Sequence, residues 1–367
     1  MAIEIDVLEN IPLKQHCSLE LGGPARYFVD VSQKIALFEA LRWAERKRLK
    51  IAVLGSGTNL IVADQGFDGL VIKMSIRGVE LRRNEGFVEL TAAAGEPWDP
   101  LVELSVQKGI AGIECLSGIP GLAGSTVVQN IGAYGQEVSQ TVTRVSVFNR
   151  ETKKEEELNP EACGFAYRDS CIKRHPDSRI VLSVVYRLFP GGPPTLSYPD
   201  VQRELAVANT VPSLRQVRET VQNLRRTKSM IYAKGDQNHR SVGSFFCNPV
   251  VSLREFNAIT RRAIDFANVQ RDEEIPKYPV GQNRVKLSAA WLIESAGFSR
   301  GFRKGNVGIS TNHALALVHH GGGSTSELIE LAKSIRQAVV SRFGVLLQPE
   351  PTLLGFGKNP FIESNTK

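Results

Sequence analysis

A handful of short stretches in this 367-residue chain combine residue types that could do chemistry. The first is Gly55-Ser56-Gly57-Thr58-Asn59, which follows the apolar run 51–54. Two glycines and small hydroxyls after a strand leave backbone N–H groups in a concave turn, which suits phosphate oxygens. It is not G-x-G-x-x-G and no P-loop lysine follows, so a plain tight turn stays open as a reading. The second is LSGIPGLAGSTVVQNIGAYG, with Gly118, Gly121, Gly124, Gly132 and Gly135 among few charges. That glycine density argues against a good helix or regular strand and lets backbone come close to a flat or charged ligand. Gln129 and Asn130 add amides that both donate and accept. The competing reading is a buried irregular connection.

In Tyr167-Arg168-Asp169-Ser170, the planar fork of Arg168 could bind both oxygens of a carboxylate, although a lone arginine is more often a surface cation. In the run 242–249, Val-Gly-Ser-Phe-Phe-Cys-Asn-Pro, Gly243 would let the Ser244 hydroxyl approach a ligand while Phe245 and Phe246 anchor and dry it. The run lacks G-x-S-x-G. A Ser–His–Asp triad with His239 is an alternative, weakened by polar Asp236, Asn238 and Arg240 around that histidine. Glu350 sits between Pro349 and Pro351, which stiffen its backbone and exclude helix; a surface turn acid is the alternative. Among the six histidines, His313 is isolated and the adjacent His319 and His320 point to opposite faces of a strand, so no metal set is expected.

The elements that must position these residues read as short strands alternating with helices, an α+β or α/β pattern. Residues 26–31, 51–54, 87–93, 142–148 and 180–189 read as strands, the last stopped by Pro-Gly-Gly-Pro-Pro. A helix over 33–47 puts Ile35, Phe38, Leu41 and Ala44 on one face. Another is expected over 97–108 with Pro near its start. Ser213–Gln216, Ser252–Glu255 and Ser324–Glu327 have capping-box spacing; the helix from Ser324 ends near Gly344. Strands are expected at 345–347 and 352–354. Arg215, Arg218, Arg225, Arg226 and Lys228 share one helix, read as a solvated face whose last residues reach an anionic ligand. A nucleic-acid face is the alternative.

At roughly 100–200 residues per domain, the length suits two or three domains. Apolar residues are 42% and charged residues 23%, an ordinary globular composition that argues against disorder. The net charge of +7 favours anionic partners without naming them. The five cysteines are odd in number and widely spaced, without C-x-x-C, which argues against a disulfide framework or zinc. The first residues lack a basic region and apolar core, so no signal peptide is expected. No run approaches 18 apolar residues. A reduced, cytoplasmic setting follows as the expectation.

The stretches LGSGTNLIV, AAAGEPW, SGIPGLAGSTVVQNIGAYG, FAYRDS, VGSFFCNPVV, AAWLIESAG and the late Pro-Glu, in this order, resemble the UDP-N-acetylenolpyruvoylglucosamine reductase family over nearly the whole chain. The resemblance implies an α+β fold. Two FAD-binding subdomains of the vanillyl-alcohol-oxidase type (1–75 and 76–210) precede a substrate-binding domain (211–343) and a strand returning to the flavin (344–367). It implies non-covalent FAD, NADPH as co-substrate, and a hydride passed from flavin N5 to the vinyl carbon of UDP-N-acetylglucosamine enolpyruvate. Gly55, Ser56, Gly57, Thr58 and Asn59 would hold the FAD pyrophosphate. Ser117, Gly118, Ile119, Pro120, Gly121, Gly124, Ser125, Gln129, Asn130, Gly132 and Ala133 would line the flavin and its phosphates. Ser244 matches the proton donor to the enolate, and Arg168 and Glu350 the pair at the carboxylate. Leu196-Ser-Tyr-Pro-Asp200 resembles the segment that brings a substrate-covering Tyr198 in the longer class. Lys228 and Asn248 match further substrate contacts. A monomer acting on small molecules, with no nucleic acid or membrane partner, is implied.

The chain departs from the family at several points. Cys247 stands where many relatives have Lys, and Trp98-Asp99 stands where relatives often read Trp-His. His16-Cys17-Ser18 replaces Asn-Thr, and Pro351-Thr352 follows Glu350 in place of Val-Arg. Two readings compete: another flavin-dependent oxidase of the same fold, and a basic nucleic-acid-binding protein.

Overall fold

The computed structural model describes residues 4–206, 211–233, 235–266 and 275–362. The chain forms two compact units. The first comprises Met1–Ile11, Ala25–Gly57 and Asp68–Ile231; the second comprises Pro12–Pro24, Thr58–Phe67 and Tyr232–Lys367. The divisions expected at 75 and 210 fall inside the first unit.

The first unit carries two larger sheets and a two-stranded one, Gly132–Ala133 with Gln136–Glu137. In one of the larger two, the strands Leu8–Pro12, Pro24–Val31, Phe67–Met74 and Lys50–Leu54 lie in that spatial order, and the last two run parallel. Helix Lys34–Arg46 packs here, but its buried stripe is Leu37, Ala40, Leu41 and Ala44. The stripe is rotated from the expected one, and Ile35 at 39% exposure lies outside it. The other sheet is antiparallel, in the order Lys154–Leu158, Val142–Asn149, Arg179–Pro190, Val88–Ala93, Val79–Arg83. The central strand Arg179–Pro190 is buried along most of its length, as its β-branched run dictates. Trp98, at the start of helix Trp98–Gln107, packs on Tyr186 at 5.5 Å between ring centroids. Helices Pro199–Leu205 and Leu214–Thr227 enclose a satellite cluster of Val201, Val217 and Val221 with Cys115.

In the second unit, Ser241–Ser244, Ala316–His319, Val307–Ile309 and Arg303–Lys304 form one sheet, and Val250–Ser252, Arg284–Leu287 and Lys277–Val280 another. Helices Ala289–Ser295 and Thr325–Phe343 supply Leu292, Ile293, Leu328, Ile335 and Phe343 to its core. Strand Thr352–Leu354 pairs in parallel with Leu60–Val62. Asp64 then caps the long helix: its carboxylate accepts from the Thr325 and Ser326 amides at 2.7 and 2.9 Å and from the Ser326 hydroxyl at 2.6 Å.

All three capping boxes form. The Ser213, Ser252 and Ser324 hydroxyls accept from the backbone amides of Gln216, Glu255 and Glu327 at 3.2, 3.2 and 3.1 Å. The expected strand at 345–347 does not: Val345 and Leu347 are buried and Leu346 is exposed, but the Leu347 carbonyl is taken by Arg336 Nε at 3.0 Å. The alternation reflects packing under a helix without a partner strand.

Candidate functional site

In the first unit, two sequence motifs interlock. The Trp98 amide donates to the Gly121 carbonyl at 3.0 Å and its indole Nε1 to the Leu116 carbonyl at 3.1 Å. The Ala123 and Gly124 amides donate to Glu96 and Ala94 carbonyls at 2.7 and 3.0 Å. The glycine-rich stretch is thereby stitched to the run 94–98. Contrary to the expectation from its glycines, it contains a regular helix, Ala123–Val128. Gly124 serves close approach there, because a Cβ would fall 2.7 Å from the Ala94 Cβ and 3.0 Å from its Cα. Several polar side chains of the stretch are engaged within the protein. Ser117 donates to the Glu114 carbonyl at 2.6 Å, and Ser125 to the Leu122 carbonyl at 2.6 Å. Asn130, buried, donates to Glu137 and to the Ala166 carbonyl and accepts from the Ser139 amide. Ser117, Ser125 and Asn130 thus turn polar atoms into the protein. Gly55 borders the stretch: the nearest atom to a Cβ there is the Leu122 Cδ1 at 3.6 Å.

Arg168 lies at φ +56, an uncommon left-handed position for a side chain of its size. Its Nη2 donates to the Gly132 carbonyl at 2.6 Å and its guanidinium sits over the Tyr167 ring at 5.1 Å. The arginine is therefore held against the small hairpin Gly132–Ala133 / Gln136–Glu137. Nearby, Tyr198 meets Tyr134 edge to face at 5.3 Å. The Lys228 ammonium lies 6.0 Å from the Tyr134 ring and 3.9 Å from Asp200. Burial pushes the Tyr134 phenol above its ordinary range. Tyr198 and Lys228 are thus brought together.

In the second unit, Ser244 ends strand Ser241–Ser244 opposite Ala316. Phe245 and Phe246 behind it are fully buried and pack edge to face at 5.0 Å. The Glu350 amide donates to the Phe245 carbonyl at 2.9 Å, and the Cys247 amide to the Gln348 carbonyl at 2.9 Å. This short ladder brings Glu350 beside the Ser244 strand end from more than a hundred residues away. Asn248 Oδ1 accepts from the Ala289 amide at 2.9 Å and so orients the start of helix Ala289–Ser295. Thr58 and Asn59 begin this unit's 58–67 segment, where the Asn59 carbonyl accepts from the Thr352 amide at 3.0 Å. Arg168 belongs to the other unit.

Sequence reasoning missed three positions. Arg218 is not on a solvated face: it is 8% exposed and its guanidinium forks onto both Asp99 oxygens at 2.7 and 2.8 Å. Arg225 turns inward too, donating to the Gly118 and Met230 carbonyls at 3.1 Å each. Glu114 is fully buried, accepting from Gly112 and Thr195 amides at 2.8 and 2.7 Å and from Gln136 at 2.9 Å. Its only sequence signal is a carboxylate among apolar neighbours. Among the described residues no helix is long and apolar enough to cross a membrane.

Comparison with known proteins bears on the family and the fold. Residues 25–153 match the FAD binding domain, and residues 235–354 match the UDP-N-acetylenolpyruvoylglucosamine reductase, C-terminal domain. A curated UDP-N-acetylenolpyruvoylglucosamine reductase of Saccharopolyspora erythraea is 42% identical over 93% of this chain and 94% of its own. That of Thermobifida fusca is 41% identical over 94% and 97%. The crystal structure of UDP-N-acetylenolpyruvylglucosamine reductase from Thermus caldophilus superposes with a TM-score of 0.64 at 22% identity, covering 96% of this chain and 99% of that one, which supports the α+β fold. With identity at this level along almost its whole length, the chain belongs to the UDP-N-acetylenolpyruvoylglucosamine reductase family.

Proposed function

We propose that this protein is an FAD-dependent oxidoreductase that uses NADPH to reduce UDP-N-acetylglucosamine enolpyruvate to UDP-N-acetylmuramate, a step in peptidoglycan precursor synthesis. The observation that carries the reading is the backbone bond from the Glu350 amide to the Phe245 carbonyl, which joins the Glu350 segment to the residue next to Ser244, in a chain of this family. The residues fit the cofactor. The turn at Gly55–Gly57 and the stretch from Ser117 to Ala133 carry many glycines and small side chains, which lets a ligand approach the backbone closely. Bound FAD supplies the hydride relay between NADPH and the vinyl carbon.

The chain's own residues do the rest. Arg168, held at the Gly132 carbonyl, meets the substrate carboxylate, where negative charge grows as the double bond is reduced. Ser244 gives its hydroxyl proton to the α-carbon. A hydroxyl is a weak acid, but the enolate carbon is a strong base, so placement counts for more than pKa matching. Glu350 acts at the substrate carboxylate; ionised and unbridged, it would repel the enolate, so it acts protonated or bridged by water. Tyr198 and Lys228 hold the diphosphate, and Asn248, with Oδ1 committed to Ala289, meets the substrate through Nδ2. The protein acts as a monomer on small molecules in the cytoplasm.

The test is optical and anaerobic. The purified protein should show a flavin band near 450 nm that bleaches with NADPH and returns on adding the enolpyruvyl sugar nucleotide. Bleaching without return would remove this substrate and favour an oxidase of the same fold. No band after reconstitution with FAD would refute the reading altogether.

A further inference from the structure

Gly118 is held from both sides by charged side chains. Its amide donates to Asp99 Oδ1 at 2.5 Å, and its carbonyl accepts from Arg225 Nε at 3.1 Å. The residue has φ +69, and a Cβ there would stand 2.7 Å from the Ile231 Cδ1, so neither the conformation nor the space admits a side chain. Asp99 lies in the first turn of helix Trp98–Gln107, and Arg225 lies in the last turn of helix Leu214–Thr227. Two turns earlier on the same face, Arg218 forks onto both Asp99 oxygens at 2.7 and 2.8 Å. Asp99 is therefore a junction: one carboxylate orients a peptide group and pairs with a buried guanidinium. Burial pushes the Asp99 carboxyl up. The hydrogen bonds from Arg218 and the Gly118 amide, and the charge of Arg218, outweigh it and hold the group below the usual carboxylate range. A charged acceptor holds an amide more firmly than a neutral one.

We infer that Asp99 is a positioning residue for FAD binding, acting through the Gly118 peptide, while its ion pair with Arg218 serves the stability of the fold and Arg225 secures the opposite side of the same glycine. The inference rests on reading the stretch from Ser117 to Ala133 as flavin-lining. It assigns to Asp99 a role that a plain interhelical ion pair would not have.

Two variants separate the two roles. Arg218→Leu removes the ion pair but leaves Asp99 able to accept from the Gly118 amide; Asp99→Ala removes both. FAD affinity is read from free-flavin fluorescence on serial dilution of the holoenzyme, the Gly118 amide by hydrogen exchange, and the fold by the thermal midpoint. Asp99→Ala should raise the FAD dissociation constant at least tenfold and speed Gly118 exchange. Arg218→Leu should lower the thermal midpoint comparably while changing the dissociation constant less than threefold. Equal weakening of FAD binding in both variants, or binding within twofold of the parent protein in Asp99→Ala, would overturn the inference. If Asp99→Ala does not fold, Asp99→Asn decides, since it keeps an oxygen but not the charge. An intermediate loss of FAD with faster Gly118 exchange supports the inference, and unchanged values for both refute it. Faster Gly118 exchange in Asp99→Ala with intact FAD binding would contradict the flavin-lining reading. Failure of the parent protein to bind FAD would contradict the proposed function itself.

Discussion

The two units present their candidate residues by different means. In the first, the candidates are mostly backbone: a glycine-rich stretch whose own serines and Asn130 bond inward, stitched to the run 94–98 and clamped by Asp99 and Arg225. In the second, they are side chains, Ser244 and Glu350, on a short ladder backed by two buried phenylalanines. A backbone site depends on close packing and fails when an atom is added. A side-chain site depends on one functional group and fails when that group is removed, with the fold intact.

Arg168 sharpens the contrast, because it is a side-chain candidate inside the backbone-dominated unit. Arg168→Met should slow substrate-driven flavin reoxidation by roughly 10²–10³-fold, the scale of losing one donor at a developing anion. Stopped-flow absorbance reads this, and reduction by NADPH should change much less. An equal slowing of both half-reactions would mean that Arg168 serves the hairpin at Gly132 rather than the substrate.

A smaller effect is expected from adding one methyl group to the backbone unit. Gly124→Ala must displace Ala94 and should cost about 1–3 kcal/mol by overpacking. Calorimetry of the holoenzyme would show it, with FAD retention falling in parallel. In the second unit, Asp64→Ala removes the carboxylate that accepts from the first two amides of helix Thr325–Phe343 and leaves the Ser324 capping box in place. It should cost about 1 kcal/mol, with the rate constants at saturating substrate nearly unchanged.

The smallest effect is a pH dependence. His319 is buried. Its Nδ1 lies 3.0 Å from the Leu19 carbonyl and its Nε2 accepts from the Gly323 amide at 3.1 Å, a pattern that requires the neutral ring. Burial holds its pKa below the ordinary value of 6.5. The unfolded chain therefore binds the proton first as pH falls, and this contribution is present above pH 6.5 and lost on acidification. The loss should be less than about 1 kcal/mol at pH 6. It should shrink in His319→Gln when thermal midpoints are compared between pH 7.5 and 6.

What was legible in the sequence followed the same division. The capping boxes lie in local residue types at fixed spacing, and all three formed as read. The helix Ala123–Val128 was not legible, because Gly124 answers to Ala94 across the fold and not to its neighbours. Nor was the inward turn of Arg218, whose partner Asp99 lies 119 residues away in the chain. The rotation of the stripe on helix Lys34–Arg46 came from which face met the sheet, a tertiary choice between two apolar faces. The alternation at 345–347 looked like a strand because burial under a helix can have the same period.

The most direct measurement is anaerobic stopped-flow of both half-reactions in the parent protein and in Ser244→Ala. Removing a positioned proton donor should slow reoxidation by the enolpyruvyl sugar nucleotide by roughly 10²–10⁴-fold, while reduction by NADPH and the thermal midpoint stay within experimental error. Reoxidation at the parent rate in Ser244→Ala would contradict the assignment of the proton to this hydroxyl, and with it the chemical reading of the second unit.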